Sequence, residues 1–195
     1  MHKPNSRGIS FREIMRSYKI LVTGPFNAGK TTFVRTLCKE YLNTEKRVFR
    51  RTIKSMTTVA LDFGVVKVDR NRYVRLFGTP GQERFSFLWK ILSIGMDGYI
   101  LMIDSGDLES IKEAEKIYGF FRRLAPRIPH VIAVNKYDKL GFKISCEDIR
   151  KLLEVPPMIP VKTTIAINYN SALSLVNTLL KLIDRRDLLT LREET

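Results

Sequence analysis

The stretch from Ile20 to Phe33 constrains this chain more than any other. It begins apolar and β-rich, turns through a loop bounded by glycines, and continues into helix-forming residues. Gly24, Gly29, Lys30 and Thr31 fit the pattern G-x-x-x-x-G-K-S/T of a phosphate-binding loop. The spacing has a physical reason. Gly24 ends the strand and permits a tight turn, and Gly29 lets the main chain approach a phosphate. The amides of Phe26, Asn27, Ala28, Gly29, Lys30, Thr31 and Thr32 can then converge on anionic oxygens. The positive end of the helix starting near Lys30 helps them. Lys30 adds a point charge near the β- and γ-phosphates, and Thr31 offers a hydroxyl to Mg²⁺.

At 195 residues the chain is expected to form one domain with a substantial core. No apolar run is long enough to span a membrane, and the N-terminus does not have the pattern of a secretory signal. Cys38 and Cys146 stand in no metal-ligand spacing and read as reduced thiols of a cytoplasmic protein. The outlying property is a net charge of +14. It favours an anionic partner, whether nucleotide, membrane surface, nucleic acid or acidic protein, and it equally fits a merely soluble basic surface.

Along the chain, residues 1–16 read as a basic extension, with Phe11, Ile14 and Met15 able to share one side. A strand is expected over Tyr18–Thr23 and a helix after the loop, carrying Phe33, Val34 and Leu37 at helical spacing. Residues 43–54 are a polar, basic loop. Thr57–Val68 and Tyr73–Phe77 read as an antiparallel hairpin about the turn Asp69–Arg72. Gly78-Thr-Pro-Gly81 breaks the second strand, and a loop and helix follow to Ser93, carrying Phe85, Phe87, Leu88, Trp89 and Ile91. That cluster reads equally as core or as a surface where partners dock. Gly98–Asp104 and His130–Asn135 are continuous apolar strands of the kind covered on both faces. Helices are expected over Glu109–Leu124 and Cys146–Glu154, with a last strand over Met158–Ile165. Asn170 or Ser171 should cap a final helix through Ile183. The alternation predicts an open, mostly parallel sheet with helices on both faces and one antiparallel edge strand.

Asn135-Lys136-Tyr137-Asp138 follows the second of those buried strands. An Asp138 carboxylate can accept hydrogen bonds from the ring N–H and exocyclic amine of guanine. Adenine presents a lone pair at that ring position and no amine, and a site built to bond a group rejects analogues lacking it. Lys136 can lay its methylene stem on the base, and Asn135 can tie this loop to the phosphate loop.

With these motifs the sequence resembles the Ras-like small GTPases from about Tyr18 to Ile183. It is most similar to their bacterial and archaeal branch, which includes the gliding-motility polarity GTPases. The resemblance rests on Gly24–Thr31, Thr58–Phe63, Leu76–Phe85 and Asn135–Asp138. It implies a P-loop NTPase three-layer sandwich with a six-stranded sheet, a GTPase domain over residues 17–185 and a tail over 186–195. It also implies a molecular switch that binds GTP or GDP with Mg²⁺ and hydrolyses GTP slowly. Thr58 then looks like the switch I ligand to Mg²⁺, and Gly81 like the switch II amide that meets the γ-phosphate. Gln82, the only glutamine in the chain, looks like the group that orients the attacking water. Lys30, Thr58 and Gln82 are the catalytic candidates. Ala166 should give its N–H to the guanine oxygen, although the serine and lysine usual around that alanine are absent. Partners of the roadblock or longin-like type, at a membrane surface, are implied by the resemblance alone.

The chain departs from the family pattern in places. Gly78 stands where the family has a Mg²⁺-linked aspartate, and Asp62 on the adjacent strand is the candidate replacement, acting through water. Phe26 and Asn27 stand where Ras has glycines, so Phe26 could shield the γ-phosphate from an arginine finger. Arg47, Arg50 and Arg51 of the basic loop are candidate fingers in cis. The alternatives are a GTP-dependent scaffold with little hydrolysis, which Gly78 and Phe26 favour, and a basic nucleic-acid-binding P-loop protein. Against the latter, the sequence carries no nucleic-acid recognition motif.

Overall fold

The computed structural model describes residues 15–38 and 62–193. Its strands are β1 (Arg16–Thr23), β2 (Asp62–Lys67), β3 (Arg72–Gly78), β4 (Gly98–Asp104), β5 (His130–Asn135) and β6 (Val161–Thr163). Its helices are α1 (Lys30–Cys38), α2 (Ser86–Ser93), α3 (Leu108–Leu124), α4 (Cys146–Leu152) and α5 (Tyr169–Glu193), and a 3₁₀ turn over Glu83–Phe85 leads into α2. Thr58, the basic loop with Arg47, Arg50 and Arg51, and the extension before Met15 lie outside the described residues.

The strands form one sheet in the order β2-β3-β1-β4-β5-β6. Only β2 runs antiparallel to its neighbour, and the remaining pairs are parallel. Every residue of β4 and β5 is buried, as expected of strands covered on both faces. Alternate side chains serve two cores. Ile100 and Met102 pack with Phe33, Leu37 and Leu179 under α1 and α5. Tyr99, Leu101 and Ile103 pack with Ile117, Phe121 and Ile149 under α3 and α4. Burying each such side chain stabilises the fold by roughly 1.5–3 kcal/mol. Capping sets two helix starts. The Asp107 carboxylate accepts from the N–H groups of Glu109 and Ser110, and the Ser145 hydroxyl accepts from that of Asp148.

Two boundaries differ from expectation. β6 is confined to Val161–Thr163, because Pro156 and Ile159 close a turn before it and Pro160 has no N–H to donate. The final helix starts earlier than either proposed cap, and Asn168 does the capping: its side-chain oxygen accepts from Ser171 N–H at 2.9 Å. The Ser171 hydroxyl instead accepts from Ile165 N–H at 3.0 Å. The tail, which could extend this helix or dock separately, extends it, and α5 continues to Glu193. Among the described residues no helix is long and apolar enough to cross a membrane.

This topology gathers the working loops. Parallel strands present their carboxyl ends, and the loops that follow them, at one edge of the sheet. Because β2 runs the other way, its first residue, Asp62, reaches that edge and pairs with Gly78, the last residue of β3.

At the far end of β5, His130 stacks on Tyr99 with ring centroids 4.6 Å apart. Its Nδ1 lies 2.9 Å from the Ile128 carbonyl and its Nε2 3.2 Å from the Tyr118 hydroxyl. An Nδ1–H donating to the carbonyl leaves Nε2 to accept from Tyr118, so the neutral ring satisfies both partners. Burial holds the pKa of His130 below its ordinary value, with Arg122 adding to the effect and the Ile128 carbonyl opposing it. The unfolded chain therefore takes up this proton first. The contribution to stability is present above the unfolded value of about 6.5 and is lost as pH falls below it toward the folded value, by at most about 1.4 kcal/mol per pH unit. Chemical denaturation between pH 7.5 and pH 5 should show this loss in the native protein and a flatter profile in His130→Gln. Equal slopes would contradict it.

Candidate functional site

The phosphate loop lies between β1 and α1, and its backbone explains its glycines. Gly24 has φ +139°, and a Cβ there would sit 2.1 Å from the Met102 carbonyl oxygen. Gly29 has φ +98°, and a Cβ there would sit 2.2 Å from the Asn135 amide nitrogen. No other residue fits either place. Asn27, at φ +60°, adopts the left-handed conformation that asparagine tolerates well. The first main-chain hydrogen bond of the following helix runs from Phe33 N–H to the Gly29 carbonyl. The N–H groups of the turn before it are the donors that a helix start leaves for an anion.

Lys30 is 8% exposed and folds back beneath the loop. Its Nζ donates to the carbonyls of Gly24, at 2.8 Å, and Pro25, at 2.5 Å. An ammonium has three N–H donors, so one remains for a ligand. Burial lowers its pKa to about 8, against the opposing attraction of Asp62 and Glu113. A bound phosphate would supply the counter-charge that such a buried cation needs. On the next residue, the Thr31 hydroxyl donates to the Asp62 carboxylate.

The loop after β3 rests directly on the phosphate loop. A Cβ at Gly81 would lie 2.5 Å from the Phe26 nitrogen. The Thr79 hydroxyl donates to that of Thr23 at 2.9 Å, and Trp89 Nε1 donates to the Pro80 carbonyl at 2.7 Å. Gln82 is exposed, immediately ahead of the 3₁₀ turn, where its side chain makes no capping bond. Phe26, on the phosphate loop, is 68% exposed. The aromatic cluster divides: Trp89 is buried against Phe120 and Phe121, whereas Phe87 and Ile91 stay exposed.

The base-recognition loop meets the phosphate loop through one side chain. Asn135 is 1% exposed, and its amide donates to the Ala28 carbonyl at 2.8 Å. Its oxygen accepts the N–H of Ala166 at 3.0 Å. Here the structure departs from expectation: the Ala166 N–H, assigned above to a guanine oxygen, is taken by Asn135, because a buried amide oxygen requires a donor. Lys136, at φ +61°, pairs with Asp104 at 2.5 Å. Asp138 is exposed at the mouth of the site. Asp104 went unrecognised in sequence, although it ends a buried strand opposite Asn135 in the register.

The phosphate loop, its supporting asparagine and the base loop thus form one connected unit. Comparison with known proteins gives the unit a family, since residues 9–185 match the ADP-ribosylation factor family. The chain belongs to that family. It is therefore a small GTP-binding protein of the P-loop GTPase class. It is 29% identical over 145 residues to ADP-ribosylation factor-like protein 3 of Saccharomyces cerevisiae, covering 69% of this chain and 67% of that protein. It is 30% identical over 149 residues to ADP-ribosylation factor-like protein 4A of Homo sapiens, covering 71% of this chain and 66% of that one. An uncharacterized protein of Methanocaldococcus jannaschii is 30% identical over 120 residues, covering 62% of this chain and 70% of its own.

Asn135→Ala leaves the Ala28 carbonyl and the Ala166 N–H buried without their partner. Each such group costs about 1–3 kcal/mol. Chemical denaturation should show a loss of that size per group, and nucleotide should dissociate faster. An unchanged midpoint would contradict the bridging role.

Proposed function

We propose that this protein is a guanine-nucleotide switch that binds GTP and GDP with Mg²⁺ and hydrolyses GTP slowly when alone. The observation that carries the reading is the Asn135 bridge, which ties the phosphate loop at Ala28 to the loop after β6 at Ala166 and stands immediately ahead of Lys136 and Asp138 in the chain. In this reading the loop amides from Phe26 to Thr32 and the Lys30 ammonium hold the phosphates. Lys136 lies along the base, and Asp138 reads its N–H groups.

The oxygen donors fit a hard cation. Thr31 and Thr58 would hold Mg²⁺ directly, with Asp62 in reach through water. The ion would neutralise charge developing on the phosphates. Gln82 orients the attacking water, and the Gly81 amide senses the γ-phosphate. Loss of that phosphate releases both switch segments. The contact of Gly81 with Pro25 and Phe26 supports a loop poised to respond.

An arginine finger is worth about 10³–10⁵ in rate, and slow hydrolysis is expected wherever no such residue enters the site. In this reading the exposed Phe26 would shield the γ-phosphate from such a residue. Exposed Phe87, Ile91 and Ile94 support docking of regulators or effectors, including those of roadblock or longin-like type. The net charge of +14 supports peripheral contact of a cytoplasmic protein with an anionic membrane. The glycine at position 78 supports kinship with the prokaryotic branch that holds the gliding-motility polarity GTPases. Gly78 and the exposed Phe26 favour a second reading, a GTP-dependent scaffold with little hydrolysis, and Gln82 argues against it.

Single-turnover assays with GTP and Mg²⁺ separate the two readings. The switch reading expects complete conversion to GDP, abolished in Gln82→Ala with GTP still bound; GTP persisting unhydrolysed would favour the scaffold. Asp138→Asn should weaken GDP binding by about 10²-fold or more and gain affinity for xanthosine diphosphate, whose carbonyl an amide can bond. Unchanged preference would contradict the role given to Asp138.

A further inference from the structure

Gly78 leaves the metal side of the site without its expected carboxylate, and the structure contains a replacement in the same place. Asp62 and Gly78 are directly opposed in the antiparallel register of β2 and β3. Opposed residues send their side chains to the same face of a sheet. A Cβ added at Gly78 would lie 2.9 Å from the Asp62 Cβ and 3.2 Å from its Oδ2. The Asp62 side chain therefore fills the volume that a side chain at position 78 would need.

The Asp62 carboxylate is also aimed. Its Oδ2 accepts the hydroxyl proton of Thr31. A hydroxyl that gives its proton to a carboxylate keeps its lone pairs free for a cation. β2 can bring this group so near because α1 lies close upon it: a Cβ at Gly64 would sit 2.1 Å from the Cys38 sulfur. Two glycines thus frame Asp62. Gly64 admits the helix that carries Thr31, and Gly78 vacates the space that the carboxylate occupies.

We propose that the carboxylate orienting the magnesium ligand has crossed from β3 to β2, so that Asp62 does from the neighbouring strand what an acidic residue at position 78 would do. The inference rests on the nucleotide reading above and identifies Asp62 as a positioning residue for Thr31 and its cation. It also explains why the loss at position 78 came with glycine: any larger residue there would collide with Asp62.

The exchange is testable because the two positions are reciprocal. The measurement is the free Mg²⁺ concentration at which half of a fluorescent GDP is retained. Asp62→Asn keeps the shape and removes the charge. It should raise that concentration about 10- to 100-fold, the range typical of outer-shell partners. Gly78→Asp alone forces two carboxylates into one space and should lower the thermal midpoint of the protein. The exchanged pair, Asp62→Gly with Gly78→Asp, should recover most of the native Mg²⁺ dependence. A merely structural Asp62 would alter thermal stability and leave the Mg²⁺ midpoint where it was. Native Mg²⁺ dependence in Asp62→Asn would overturn the inference, and so would a folded exchanged protein no better than Asp62→Gly. Should the exchanged protein not fold, Asp62→Asn decides alone. If the unaltered protein retains no GDP at any Mg²⁺ concentration, the nucleotide reading falls and this inference with it. Retention in the unaltered protein with no change in the variants removes only the inference.

Discussion

The Asn135 side chain makes one site out of separate loops. Its amide holds the phosphate loop through Ala28, and its oxygen holds the loop after β6 through Ala166. Both bonds are buried, where water cannot replace a lost partner and the cost of breaking one is high. The contact is close enough that Gly29 cannot carry a side chain. Triphosphate and base lie at opposite ends of a nucleotide, so a protein that recognises both must keep its two binding loops in register. A short, rigid, fully bonded bridge between carboxyl ends of parallel strands does this with little conformational freedom left to lose on binding.

The loop after β3 is held differently. Thr79 is anchored through Val22 and Thr23, and Trp89 bonds back to Pro80, but between them Gly81 rests against the phosphate loop and Gln82 is exposed, with no capping bond from its side chain. Firm anchors flanking a weakly held segment suit a part that must change position when a phosphate leaves. Asp104 adds a second fixed point by holding the Lys136 ammonium, so that the lysine side chain is tethered at its end.

Much of this was legible in the sequence because local chemistry dictated it. Gly24 and Gly29 announce themselves, since the spacing admits glycine alone, and the structure shows the carbonyl and amide that forbid anything larger. The runs through β4 and β5 could only be strands covered on both faces. What escaped were contacts set by tertiary packing. Asp104 finds its partner 32 residues away, and nothing near it in sequence marks the ion pair. The Ala166 N–H was assigned to the ligand because its competition with Asn135 is visible only in three dimensions. Asn168 was passed over as a cap because Asn170 and Ser171 offer the same chemistry a few residues on. Asp62 lay between these cases: its strand position hinted at a role, and the register with Gly78 gives it a place.

The central claim is that one nucleotide is gripped by its phosphates and judged by its base at the same time. Competition between GDP and ADP for the nucleotide-free protein in Mg²⁺ tests this most directly. Phosphate contacts are identical for the two, so any difference reports the base loop. The account predicts that GDP binds tighter by about 10³-fold or more, as expected of a site whose polar groups go unpaired with the wrong base. Equal affinities would contradict it.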